Sequence, residues 1–582
     1  MKTTLIRLAG LALATGSLAT LVMPMRAAQE AELKDDAGKT IIRYVIEVPK
    51  GIAPAGTTDP AKQVGLFLCF AEHERPTGDE LLPVREALRR QGLSDQYVLL
   101  AGHSQALKMS MADHEPIRKM AEWAMKNYPI NPRRVYMYGK GEGSKVSAEF
   151  AMTHPKMITA SIGYSWGFWV MPSELTEPLD GLKTGPELYM VLGMRDLATH
   201  INTVRDTYTR VNAKGYHVIY REFDDLGART YHPVSNDDAI GWVTRLRNKN
   251  LAPSASEAKV LKGFENGTPR PGASGYYEPL ALVGGTQAGG IVQKLLGSPD
   301  AAVRAAAAET CSHAFFGEDT AAVLGKSLVD ADQKVRRAAF KSLAMYGDWR
   351  SAAAQEALID LATHEEKAVD PVDRVSAVDG LGASVRFQVK GVRQDPPVFR
   401  ALVGLLTDKN EELRVMAANI LAPIRDGDFR GDAGRPEKKA PEGGWPKWLD
   451  DIAAKEAGYL KDYEVCGWGA TTKAESYPGN RGSQEPVDLY CMGGAQLLGY
   501  DLGTGKPVAK QPVSAFQNTL RAAEAGYVPA QAELGMMYAN GKGVQQNYVE
   551  AGKWWSKAAA GGHVLAAANA ARAPKVPVPG AN

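Results

Sequence analysis

Cysteine is scarce, with 4 in 582 residues: Cys69, Cys311, Cys466 and Cys491. None of their spacings is that of a zinc site, and so few cannot staple a disulfide-rich scaffold. Charge of one sign is lacking too. With 68 basic and 66 acidic side chains the formal net charge is +2, too little to draw the chain to nucleic acid or to an anionic membrane. Beyond Val22 no apolar run is long enough to span a bilayer. What is present is an ordinary globular composition, 45% hydrophobic, over a length that predicts several domains.

The uncharged stretch Leu8 to Val22 follows Lys2 and Arg7 and precedes Met23-Pro24-Met25-Arg26-Ala27-Ala28. That is the pattern of a secretory signal over residues 1–28, which predicts export to the periplasm or outside the cell and no integral membrane segment once the signal is removed. Arg26 would lie three residues before a cut after Ala28, so the cleaved bond is left open. Lys2, Arg7 and Arg26 are the three positive charges before the first acid, Glu30, and without them the balance is slightly acidic. In an exported chain Cys466 and Cys491, which flank a Gly-rich, Pro-containing segment, form a candidate disulfide.

From 40 to 250 strand-like and helix-like stretches alternate. Strands are expected at Ile41 to Val48, Val64 to Phe70, Tyr97 to Ala101, Val135 to Tyr138, Ile158 to Gly163, Glu187 to Gly193 and His217 to Phe223, with helices at Leu81 to Arg90, Pro116 to Asn127, Lys145 to Thr153 and Asn202 to Ala213. Such alternation predicts an α/β domain, a mostly parallel sheet with helices on both faces. Residues 251–279, rich in Pro, Gly and Ser, read as a linker. From 280 to 425 the chain is Ala- and Leu-rich and repeats. "SPDAAVRAAAAET" at Ser298 is echoed at Asp330, Asp370 and Asp408, and the arginines that mark each copy, Arg304, Arg336, Arg374 and Arg414, are 32, 38 and 40 residues apart. These are the dimensions of a helical hairpin that buries its apolar face only against its neighbours. Residues 426–448 read as a second linker, 449–494 as a cysteine-containing connector, 495–573 as another set of repeats and 574–582 as a tail. In the last set Gly499 and Gly535, Val508 and Val544, and Ala515 and Ala551 are each 36 positions apart. The fold class expected for the whole chain is multidomain, α/β followed by all-α repeats.

The Asp…Val-Arg…Ala pattern resembles that of HEAT repeats. "AQAELGMMYANGKGVQQNYVEAGKWWSKAAAGGH" closely resembles a Sel1 repeat, a relative of the tetratricopeptide repeat, with Gly541-Lys542-Gly543 at its turn. Trp554 and Trp555 could serve as a ligand platform or as core. These resemblances imply that the partners are proteins or envelope polymers bound through helical repeats, and that the repeat region from 280 onward folds without the first domain.

The stretch "NPRRVYMYGKGEGSKVSAEFAMTHP" resembles the strand, nucleophile elbow and helix of the alpha/beta-hydrolase fold, as found in secreted esterases and polyhydroxybutyrate depolymerases. In that elbow a serine sits on a strained turn, exposed to a histidine and to backbone N–H donors for the oxyanion. Aligned on its glycines, Gly139, Gly141 and Gly143, this sequence has Gly141 in place of the serine. The resemblance implies Asp196 as the relic acid and His232 as the relic base, although the usual histidine position holds Ala228. Ser144, three residues past the tip, is the remaining nucleophile candidate, but the first helical turn is where serine caps. As a dinucleotide fingerprint the glycines stand on the wrong strand, and as a phosphate loop Lys145 follows Ser144 instead of preceding it. His73, His103, Asp113 and His114 share the domain without a spacing that fixes metal geometry. No cofactor and no metal are expected. Two functions follow: an exported interaction protein with an inactive hydrolase-like domain, or a secreted esterase, a carboxylic ester hydrolase with a displaced catalytic site.

Overall fold

The computed structural model describes residues 29–70, 78–103, 113–164, 185–193, 215–223, 231–267, 270–272, 274–385, 395–421, 486–499 and 508–561, with isolated positions elsewhere. The signal sequence, His73, Asp196, Cys466, most of the segment 426–485 and the tail lie outside the described residues.

The N-terminal domain is built in the order β1 (Gln29–Lys34), β2 (Thr40–Glu47), β3 (Val64–Phe70), α1 (Leu82–Arg90), β4 (Tyr97–His103), α2 (His114–Asn127), β5 (Ile130–Lys140), α3 (Glu142–Thr153), β6 (Ala160–Tyr164), β7 (Glu187–Gly193), β8 (Val218–Phe223) and α4 (Pro233–Val243). Its sheet has the order β1-β2-β4-β3-β5-β6-β7-β8. The β1–β2 and β2–β4 pairs are antiparallel and the others parallel, the mostly parallel sheet that the alternating pattern predicts. β3 and β4 are buried along their whole length, as strands covered on both faces must be. Their side chains alternate between two cores. Phe67, Cys69, Leu99, Ala101, Tyr136 and Tyr138 face α1 and α4, whereas Leu66, Leu68, Leu100, Val135 and Met137 face α2 and α3. β1, an edge strand, and α4 were not anticipated.

The segment expected as a linker holds the helix α5 (Ala255–Asn266), and α6 (Glu278–Val283) begins at its end. The Ser254 hydroxyl and the Glu257 carboxylate close a capping box at the start of α5, a local signal that overrides the Pro- and Gly-rich composition around it. Four hairpins follow: α7 (Gly285–Leu296) with α8 (Ala301–Thr310), α9 (Glu318–Lys326) with α10 (Gln333–Asp348), α11 (Ala352–Thr363) with α12 (Pro371–Val385), and α13 (Pro396–Leu405) with α14 (Glu411–Leu421). First helices pack on first helices and second on second, so each hairpin covers the seam of the one before.

The repeat arginines explain the sequence pattern. Each is the fourth residue of its second helix. Arg304 donates to the carbonyls of Ser298 and Pro299, Arg336 to those of Asp330 and Ala331, and Arg414 to those of Asp408 and Lys409. Where the turn is longer, Arg374 instead reaches the Ala362 carbonyl. Toward the next repeat, Arg304 pairs with Asp330 at 2.7 Å, Arg336 with Asp373 at 3.0 Å and Arg374 with Asp408 at 2.5 Å. The ladder closes each turn on itself and fastens it to its successor.

The C-terminal part has α15 (Pro486–Leu498), α16 (Pro512–Glu524), α17 (Val528–Asn540) and α18 (Tyr548–Ala560), consecutive helices packed in antiparallel succession around two small cores. Gly541 ends α17 in the left-handed conformation at φ 65°. A Cβ on Gly543 would lie 1.9 Å from the Pro512 carbonyl oxygen, so only glycine admits this crossing. Trp554 and Trp555 are both buried, one in each core, and neither forms an open platform.

Candidate functional site

The strand β5 runs through the centre of the sheet and ends at Gly141, which has φ 58° and ψ −130° and is the N-cap residue of α3. This is the sharp strand-to-helix turn of a nucleophile elbow, in a backbone region where an L side chain is strained. The Gly141 N–H donates to the Tyr164 carbonyl at 3.1 Å, tying the tip to β6. Gly139 is demanded by the crossing itself, since a Cβ there would lie 2.2 Å from the Gly143 carbonyl oxygen and 2.4 Å from Ser144 Cα. Gly139 and Gly141 are thus both required by the turn, and its tip carries no side chain.

Ser144 is buried, and its Oγ donates to the Gly141 carbonyl at 2.8 Å. Its backbone N–H bonds the same oxygen at 3.0 Å. The hydroxyl donates back to the carbonyl three residues earlier, which is not the capping role expected from sequence: the N-cap is Gly141, and it makes no side-chain cap bond.

His232 is also buried, with 8% exposure. It caps α4, its Nδ1 accepting from the Ser235 N–H at 3.2 Å. That hydrogen bond puts the proton of the neutral ring on Nε2. In a catalytic triad the reverse holds, Nδ1–H donating to the acid while Nε2 takes the nucleophile's proton. The segment bearing His232 is joined to the elbow strand by a polar chain. Tyr138 donates its hydroxyl to Asn236 Oδ1 at 3.0 Å, and Asn236 Nδ2 donates to the His232 carbonyl at 2.9 Å. Burial pushes the Tyr138 phenol well above its usual range, so it acts here as a neutral donor.

Of the other candidates, His73 and Asp196 lie outside the described residues. His103 ends β4 and is buried, while His114 opens α2 beside the rings of Phe150 and His154. Burial, helped by His154, pushes His114 down to about 4, which keeps it neutral. Among the described residues no group of three His, Cys, Asp or Glu could hold a metal ion. Cys69 and Cys311 are buried free thiols. Cys491 falls in α15 and its proposed partner lies outside the described residues, so the candidate disulfide stays an expectation.

Sequence reasoning missed a second polar site, at the junction of the sheet with the helical array. Arg133 and Glu257, both buried, pair at 3.2 Å. Arg133 also donates to the Val283 carbonyl at 3.1 Å, and Arg247 donates to those of Ala281 and Leu282 at 3.2 and 3.0 Å. Two guanidinium groups thus cap the exposed carbonyl end of α6, where cations are favoured. Arg245 reaches the Ser312 carbonyl at 3.2 Å, and its own carbonyl accepts from the Phe315 N–H at 3.1 Å. The only sequence signal was the arginine pair Arg133-Arg134 leading directly into an apolar strand, a place where solvated charge is not expected.

Comparison with known proteins agrees with this architecture. The family description of HEAT repeats matches residues 288–370, and that of the Sel1 repeat matches residues 494–527 and 528–563. The chain carries both repeat types. No curated protein matches it. Among solved structures the first domain is similar to a thermostable esterase, at 17% identity and a TM-score of 0.30, over 38% of this chain and 63% of that one. It is also similar to the S-formylglutathione hydrolase of Staphylococcus aureus, at 12% identity and a TM-score of 0.28, over 38% of this chain and 96% of that one. A third is a thermophilic carboxylesterase from a metagenomic library, at 12% identity and a TM-score of 0.29, over 38% of this chain and 89% of that one.

Proposed function

We propose that this chain is an exported scaffold in which a catalytically silent hydrolase-like domain supports helical repeats that bind other proteins or envelope polymers. The observation that carries the reading is Gly141 at the tip of an otherwise complete elbow. Loss of a triad nucleophile costs on the order of a million-fold in turnover, and His232 offers the wrong nitrogen to replace any of it. HEAT and Sel1 repeats are protein-interaction modules, and stacked hairpins present an extended surface that needs no single reactive atom.

The test is chemical. The full mature chain should neither hydrolyse short-chain p-nitrophenyl esters nor react with a fluorophosphonate probe, and Gly141→Ser alone should stay unlabelled. Stoichiometric labelling of Ser144 in the wild-type chain would overturn the reading in favour of an esterase with a displaced site.

A further inference from the structure

The half of β5 far from the elbow carries charge that its surroundings do not balance. Arg133 and Arg134, consecutive on the strand, are 2% and 3% exposed. Arg134 shares the sheet face of Tyr136, two residues on. The Tyr136 hydroxyl and Arg247 both donate to the Leu246 carbonyl, at 2.9 and 2.8 Å. Arg247 and Arg133 in turn lie against Gly284 and Gly285, where an added Cβ would come within 2.9 and 2.8 Å of their side chains. With Arg245, four guanidinium groups gather at this junction. Among the described residues the one carboxylate in an ion pair with any of them is Glu257, on Arg133 at 3.2 Å.

Three of the four have acceptors. Arg133 and Arg247 cap α6, and Arg245 reaches the Ser312 carbonyl. Arg134 is different: no carbonyl or carboxylate among the described residues meets it, and its Nε is sealed from solvent with no hydrogen-bond partner. Its guanidinium stands 4.9 Å over the Tyr97 ring, and the phenols of Tyr97 and Tyr136 are its polar neighbours. Burial pushes the Tyr136 phenol up, so it brings an oxygen and no charge. A guanidinium cannot shed its proton, and a buried charge is costly unless something of opposite sign meets it. Arg247 registers the surplus. Burial pushes its guanidinium down, Tyr136 opposes this, and the charges of Arg134 and Arg133 add to the push.

The geometry points to a binding site for one small monovalent anion, of the chloride class, beside Arg134 at the junction of the sheet with the helical array. One negative charge is what Arg134 lacks. The donors open to the ion are the Arg134 guanidinium and the Tyr97 hydroxyl, because Tyr136 donates to Leu246 and the other three arginines are engaged. A phosphate or sulfate would bring four oxygens to a place with too few donors to satisfy them, whereas a halide asks for no fixed set. The surplus on Arg133 and Arg247 is met instead by the carbonyl end of α6. An ion held here fastens β4 and β5 to the segment 244–247, through which the sheet joins the array.

Denaturation of the full chain at constant ionic strength, with sodium gluconate exchanged for sodium chloride, tests the site. A folded state that binds chloride gains by mass action, so at ten times the dissociation constant the folding equilibrium constant should rise about tenfold. Bromide should act in the same way. Arg134→Met keeps a stem against Tyr97 without the charge; it should lose the chloride response and be no less stable than the wild-type chain in gluconate. Should that variant fail to fold, anomalous diffraction from wild-type crystals grown in bromide decides, with an ion expected in contact with the Arg134 guanidinium. Wild-type stability indifferent to chloride, a chloride response that persists in Arg134→Met, or bromide found only at exposed positions would overturn the site.

Discussion

The tip of β5 and the ladder across α8, α10 and α12 both place a special residue beside the start of a helix, yet they hold function in opposite ways. At the tip everything is backbone: Gly139 admits the crossing, Gly141 takes the strained angles, and no side chain at the tip takes part in the turn. Along the ladder the side chains are the structure, since each arginine closes a turn and most reach the aspartate of the next repeat. A site that depends on one atom can be emptied while its fold survives. A surface assembled from repeated contacts loses stability with every contact removed.

Removing a buried rung should have the largest effect. Arg336 and Asp373 are nearly enclosed, and burial already pushes the Asp373 carboxyl upward. Arg336→Ala should therefore cost about 3–5 kcal/mol in chemical denaturation, and a loss well under 1 kcal/mol would mean that the ladder is ornamental. The elbow should respond less. Gly139→Ala forces a methyl group against the Gly143 carbonyl and should cost about 1–3 kcal/mol; a neutral result would show that the turn is looser than its geometry. Smallest is the cap of α10, where Asp332 accepts from the Lys334 and Val335 amides. Asp332→Ala should lower stability by about 1 kcal/mol, read from the shift in denaturation midpoint.

The elements with a strong local period were legible in the sequence. The strands Val64–Phe70 and Glu187–Gly193 stand where their uninterrupted apolar runs put them, and the hairpins follow the spacing of Arg304, Arg336, Arg374 and Arg414. The turn at Gly141 was legible from its glycines, because backbone conformation is what glycine reports. Other features were not. The helix Pro233–Val243 buries residues around much of its circumference, Ser235, Asn236, Ala239, Ile240, Trp242 and Val243 among them, so it has no polar stripe to announce it. The state of His232 depends on an amide three residues on, which spacing alone cannot orient. The roles of Arg133, Arg245 and Arg247 were not legible, because the carbonyls and carboxylate they meet come from other parts of the chain.

The apolar core on the α1 and α4 side of the sheet does not stop at residue 250. It runs from Val45 and Phe67 through Trp242 and Leu280 to Leu343, Val378 and Leu421 without interruption. A boundary at 280, natural from the sequence, would cut through this mass and leave both cut faces wet. The hydrolase-like domain therefore serves as the end-piece of the solenoid, shielding a first hairpin that would otherwise present an unfinished seam to water. A domain placed in this way contributes to the array through its flank, whatever its cleft does.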